Sequence, residues 1–217
     1  MDEKTFEIKG SAYSRETGRL LYHENHRETW QDEQHRYSEV EYVSAEGETL
    51  ATKCIDFSNS RIAPDFEMRD TRFGRFGARN LGNKIEVFGP DSEGRFKTEA
   101  AMVIDGGFDY FIRDHWQDLE TGEPVKINFA VVDRGVSFGF ELQKIRTGRL
   151  GQQPVTYFQM KIDNWFLKML VEPIEVAYYS ELKRLAQFEG ISNIYDERGK
   201  NYNTRIVFEP QNYAKAY

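Results

Sequence analysis

Three of the four histidines, His23, His26 and His35, lie close together in the chain and are accompanied by Glu24 and Glu28. A zinc-type site needs three or four such donors converging on one point. On a β-strand, His23 and His26, three residues apart, face opposite ways, while Glu24, His26 and Glu28 share a side. A straight same-side row does not converge on one ion, so the pattern predicts a hydrogen-bonded or solvated polar strand and no metal.

Other reactive groups point to little chemistry. Cys54, the only cysteine, falls in an alternating run, Leu50-Thr52-Cys54 against Ala51-Lys53-Ile55-Phe57. That setting predicts a small packing residue rather than a reactive thiolate. The chain has no Gly-x-Ser-x-Gly elbow on which to build a hydrolase. Carboxylates are so numerous that no pair stands out. Asp105 and Asp109 bracket a helix start where capping and the helix dipole explain them. The segment Phe73-Gly74-Arg75-Phe76-Gly77-Ala78-Arg79 is glycine-bearing and basic but lacks the strand-to-helix context of a phosphate cradle. Arginines among aromatics there predict a sheet edge. No catalytic residue, cofactor or metal follows from these motifs. Only His26 or His115 meeting acids inside a concave pocket would reopen an enzymatic reading.

The aromatic content is more suggestive, with twelve tyrosines, sixteen phenylalanines and three tryptophans. Phe108, Phe111, Ile112, Trp116 and Leu119 recur at helical spacing across Gly107–Leu119, with polar residues opposite, Asp105 placed as N-cap and Gly122 as the stop. This stripe, preceded by Gly106-Gly107, fits either a hinged lid over a barrel mouth or a helix plugging an open sheet. Phe108, Phe111 and Trp116, with Trp165 beside them, are the candidate ligand-binding residues. Trp165–Val171 is a second, shorter helical candidate, ended before Pro173.

The elements that must position these residues are strands. Phe6–Ala12, Leu20–Trp30, Tyr37–Val43 and Thr49–Phe57 alternate in polarity and are joined by turn residues, the pattern of an antiparallel meander. Ser58–Asn83 reads as a long connection with one or two short strands. Further runs are Lys84–Phe88, Arg95–Val103, Val125–Val132, Val136–Ile145, Val155–Ile162, Ile174–Tyr179, Arg184–Phe188 and Thr204–Phe208. The expected fold is mainly β, an antiparallel barrel or half-barrel of about ten or eleven strands, with one amphipathic helix across the concave side. One domain spans residues 1–217, with a tail frayed after about 210.

The 217 residues carry 29 basic and 36 acidic side chains, a net charge of −7. This balance argues against nucleic-acid binding, which draws on phosphate neutralisation. No apolar run approaches the length of a membrane span.

The segments Gly18-Arg19-Leu20-Leu21-Tyr22-His23-Glu24, Val103-Ile104-Asp105-Gly106-Gly107-Phe108-Asp109 and Phe188-Glu189-Gly190-Ile191-Ser192-Asn193-Ile194 carry a resemblance that spans the chain. The sequence resembles uncharacterised bacterial β-rich cell-envelope proteins, usually made with a signal peptide. The resemblance implies an antiparallel barrel-like sheet and an envelope location, and supplies no activity or catalytic residues. The N-terminus here has no apolar signal region, so the expected location is periplasmic if a leader was removed and cytoplasmic otherwise. The expected function is a non-enzymatic envelope protein that holds an apolar small molecule or lipid-like ligand in a curved sheet. The alternative is a scaffold or assembly protein with a plugged core that recognises partners through its outer strands.

Overall fold

The computed structural model describes residues 3–90, 94–97, 102–132, 135–163 and 172–213. Four long strands open the chain: β1 (Glu3–Ser14), β2 (Leu20–Gln31), β3 (Gln34–Ser44) and β4 (Thr49–Asp56). Then come β5 (Asp65–Asp70), β6 (Gly74–Asn80), β7 (Lys84–Phe88), β8 (Gly94–Lys97) and β9 (Met102–Val103). Two short helices, α1 (Gly107–Asp114) and α2 (Trp116–Glu120), precede β10 (Val125–Val131) and β11 (Val136–Leu150). The chain ends with β12 (Gln153–Ile162), β13 (Ile174–Tyr179), β14 (Arg184–Tyr195) and β15 (Asn201–Phe208).

The fifteen strands among the described residues belong to one sheet, ordered β8-β7-β6-β5-β4-β3-β2-β1-β15-β14-β13-β12-β11-β10-β9. Neighbours pair antiparallel throughout, except that β9 and β10 run parallel. The amino-terminal meander and the carboxy-terminal one are joined where β1 pairs with β15, with Gly10 opposite Phe208. A twisted sheet of more than about ten strands curls. Here the curl brings Gly94 of β8 close to Gly135, just before β11: a Cβ on Gly94 would lie 3.6 Å from the Gly135 carbonyl oxygen. Among the described residues the sheet does not close, and β8 and β9 are its edges.

The mainly antiparallel β architecture matches the sequence reading, but fifteen strands replace the expected ten or eleven. The Arg95–Val103 run supplies two strands rather than one, and Ser58–Asn83 contributes β5 and β6. The expected single helix is also divided. At His115 the backbone leaves helical geometry (φ −98, ψ 15), ending α1 before α2 begins. There the imidazole Nδ1–H donates to the Phe111 carbonyl at 3.0 Å and the ring stacks on Phe111. Asp105 does not cap the helix; the N-cap is Gly106, with no side-chain cap bond. Beyond Pro210 the chain is packed through Tyr213, whose hydroxyl donates to the Leu185 carbonyl at 2.8 Å. Trp165–Val171 lies outside the described residues.

Helix α1 lies between two apolar clusters. Tyr110 joins the cluster built on the first strands, against Phe57 and His35. Phe111 and Ile112, with Trp116 and Leu119 of α2, pack into a second cluster on β10–β13. Gly107 permits this seat: a Cβ there would fall 2.0 Å from the Ile62 carbonyl oxygen, so the helix start abuts the β4–β5 connection. The glycine pair thus serves close packing, and Ile104 N–H donates to the same Ile62 carbonyl at 3.0 Å.

Candidate functional site: a cavity between the sheet and helix α1

Inside the curl is a cavity of about 310 Å³, bordered by β2–β4, the start of α1, and β12–β15. That volume falls at the lower end of the range of small-molecule pockets, about 300–1,000 Å³. Its walls are mostly apolar: Ile8, Val40, Ile55, Phe108, Leu185 and Phe208 are among them. Polar groups interrupt them on several elements, most densely on β2, whose inward face presents Glu24, His26 and Glu28.

Alternation alone places these three on one side, and the structure shows that side to be the interior. Of the two expected settings, hydrogen-bonded or solvated, the strand takes the first: Glu24 and Glu28 are buried and hydrogen-bonded. His26 Nε2–H donates to Glu24 Oε2 at 2.9 Å, so His26 does meet acids inside a concave pocket; its other nitrogen has no hydrogen-bond partner among the described residues, so no nucleophile is paired with it. His23, on the outer face, pairs with Ser11. No group of three or more metal-type donors clusters among the described residues.

The strand next to β3 adds a second surprise. The inward face of β4 is Ala51, Lys53 and Ile55, so Lys53 is interior. Its ammonium donates to Asp105 Oδ1 at 2.9 Å, and Asn193 Nδ2 of β14 donates to Asp105 Oδ2 at 2.9 Å. Burial alone would lower the Lys53 pKa, but the Asp105 carboxylate outweighs it and holds the group above the ordinary lysine range. Asp105 itself adopts φ +40, a left-handed conformation uncommon outside glycine and asparagine. Cys54 takes the outer face, half-buried rather than in the core. The three segments on which the sequence resemblance rests meet here, since Glu24, Asp105 and Asn193 all line this part of the cavity.

A second polar group surrounds Glu28. Trp30 Nε1–H donates to Glu28 Oε2 at 2.9 Å, and the Arg184 guanidinium lies 3.7 Å from Oε1. Burial pushes the Glu28 pKa up, but Arg184 leads the attractive charges that bring it below the usual carboxylate value. His35 is stacked on Trp30 at 5.1 Å and held below the ordinary histidine range, first by burial. Its Nδ1 accepts from the Tyr110 hydroxyl at 2.8 Å. Ser38 Oγ lies 2.9 Å from Nε2, a nucleophile-and-base spacing. The Tyr37 carbonyl, however, also faces Nε2 at 3.1 Å. A carbonyl can only accept, so Nε2 carries the proton and cannot take one from Ser38. The arrangement is a structural hydrogen-bond chain, not an activated serine.

Of the residues singled out as ligand-binding, the structure brings only Phe108 to the cavity wall. Phe111 and Trp116 do not line it. They are buried in the second apolar cluster, with Trp116 edge-on to Phe158 at 5.1 Å. Trp165 lies outside the described residues. Sequence reading missed Lys53, Asp105, Arg184 and Asn193 as cavity residues. For Lys53 a signal existed, a lone charge in the apolar register of β4. The basic segment Phe73–Arg79 proves to be an outer-face network, with Arg69 and Arg75 on Glu67 and Arg75 over Phe88.

The fold resembles a crystal structure described as a β-barrel-like protein of domain of unknown function DUF1849 from Brucella abortus. The match has a TM-score of 0.54 at 7% identity and covers 95% of this chain and 98% of that one. A DUF1329 family protein from Desulfovibrio piger aligns over 96% of this chain and 84% of that chain, at 9% identity and TM-score 0.27. No family model and no curated protein matches the sequence. The likeness to the Brucella abortus protein, at 7% identity, concerns the β-barrel-like fold alone.

Proposed function

We propose that this protein is a non-enzymatic binder that holds a small amphipathic ligand, lipid-like in its apolar part, between the curved sheet and helix α1. The observation that carries the reading is the cavity itself. Phe108 stands beside open volume instead of filling it, and mostly apolar walls are interrupted by a few buried polar groups, the usual composition of a ligand site. A fully plugged core, which the scaffold alternative requires, fits this observation less well. A cell-envelope location belongs to the same proposal and is supported by the sequence resemblance alone.

The test is to purify the protein without detergent, extract it with organic solvent and examine the extract by mass spectrometry. In parallel, the extracted protein is titrated with the uncharged fluorophore N-phenyl-1-naphthylamine. A co-purifying amphiphile or saturable one-to-one probe binding is expected. Absence of both would falsify the proposal.

A further inference from the structure

The charges around the cavity are matched in pairs, with one exception. Asp105 is matched by Lys53 at 2.9 Å, Glu28 by Arg184 at 3.7 Å, and Asp109 by Arg113 at 2.8 Å. Glu24 has no permanently cationic partner within ion-pair distance among the described residues. Lys53, committed to Asp105, reaches it only at longer range. The Glu24 side chain is only 9% exposed, and what it exposes faces the cavity. Its Oε2 accepts from His26, while Oε1 accepts no hydrogen bond among the described residues. A carboxylate in this position has strong acceptor capacity left over.

His26 adds to the same demand. With Nε2 donating to Glu24, Nδ1 is the ring's second hydrogen-bonding position, a lone-pair acceptor whenever it carries no proton of its own. That nitrogen has no hydrogen-bond partner among the described residues, and the ring, 22% exposed, is part of the cavity wall. Two open acceptors, one of them anionic, therefore stand side by side on β2. Apolar side chains, Ile8, Val40 and Phe208, flank them.

A buried carboxylate is costly unless paired and hydrogen-bonded. A ligand group that donates two or more hydrogen bonds and carries one positive charge meets this need, and a primary ammonium does so. A carboxylate or phosphate would instead set acceptors against acceptors. The geometry points to a binding site for a primary amine at Glu24 and His26, with the ligand's apolar part along the neighbouring walls. The protein thus takes cationic amphiphiles and discriminates against fatty-acid anions. This inference rests on the cavity-binding reading above and specifies its ligand class.

The test is displacement of N-phenyl-1-naphthylamine at pH 8 by decylamine, decanol and decanoate, which share a chain and differ in head group. Decylamine is expected to displace the probe at a concentration at least tenfold below decanoate, with decanol between them. Glu24→Gln, which keeps an acceptor for His26, is expected to abolish most of the preference for the amine. Wild-type selectivity is decisive even if that variant is unstable. Decanoate displacing as well as or better than decylamine would overturn the amine site while leaving cavity binding intact. An unchanged amine preference in a folded Glu24→Gln variant would do the same. If neither the probe nor any of the three amphiphiles binds, the cavity reading falls and the amine site with it.

Discussion

Lys53 Nζ lies 2.9 Å from Asp105 Oδ1, tying the fourth strand to the residue that precedes the N-cap of helix α1. Both side chains are about a tenth exposed, at 11% and 9%. The pair holds the start of the helix against the sheet and shapes one part of the cavity wall.

Removing one partner leaves the other charge buried. Lys53→Met is therefore expected to lower unfolding free energy by about 3 kcal/mol, near the low end for a broken buried pair because both groups keep some solvent contact. Lys53→Met combined with Asp105→Asn should recover most of that loss. Urea denaturation of the two single variants and the double variant measures the coupling; strictly additive losses would show that the pair is not acting as a unit.

Stability should fall on acidification in two stages. His35 and Glu28 both have folded pKa values below their ordinary ones. Each therefore binds fewer protons folded than unfolded between its folded and its ordinary pKa, and stability rises with pH across that window. The His35 contribution should begin to fade as pH drops below about 6.5, and that of Glu28 below about 4.3. His35→Phe, which keeps an aromatic ring between Trp30 and Phe57, should flatten the upper stage and leave the lower one. Unfolding midpoints in urea between pH 8 and about pH 2.5 span both windows.

Helix α1 depends on the closeness of Gly107 to Ile62. Since a Cβ would fall 2.0 Å from a backbone oxygen, Gly107→Ala forces a shift and should cost roughly 2 kcal/mol, within the range for overpacking. Gly139→Ala, whose added carbon would meet nothing nearer than 3.7 Å, is the control and should be near neutral. Thermal midpoints of the two variants compare them directly.

Trp116 separates stability from binding. Buried against Phe158 and Tyr178 and away from the cavity, it should destabilise the fold by about 3 kcal/mol when replaced by alanine. The affinity of the remaining folded protein for an apolar probe should be unchanged, as judged by titration at low temperature. A large loss of affinity would place Trp116 at the site after all.

Much of the β framework was legible because alternation in β1, β3, β4 and β7 marks strands whose two faces differ in polarity. What alternation does not say is which face is inside. In β2, Tyr22 and Trp30 share a register with Glu24, His26 and Glu28, so the buried polar row looks like a solvent face. The partner of Glu28 comes from a distant strand, Arg184 of β14, and buried Lys53 of β4 likewise finds Asp105 far along the chain. No local pattern encodes such pairings, since they follow from the curl of the whole sheet. The helix shows the converse case. Its aromatic stripe was plain in the sequence, yet the break at His115 and the packing against β10–β13 send Phe111 and Trp116 away from the open volume, leaving Phe108 at its wall.

The central claim is that open volume inside the curl takes up an apolar molecule. It is tested most directly by titrating wild-type protein and Ile206→Trp with N-phenyl-1-naphthylamine, since Ile206 lines the cavity and the larger ring fills it. The account predicts saturable one-to-one binding by the wild type and at least a tenfold loss in a folded variant. No saturable binding, or equal binding by both proteins, would contradict it.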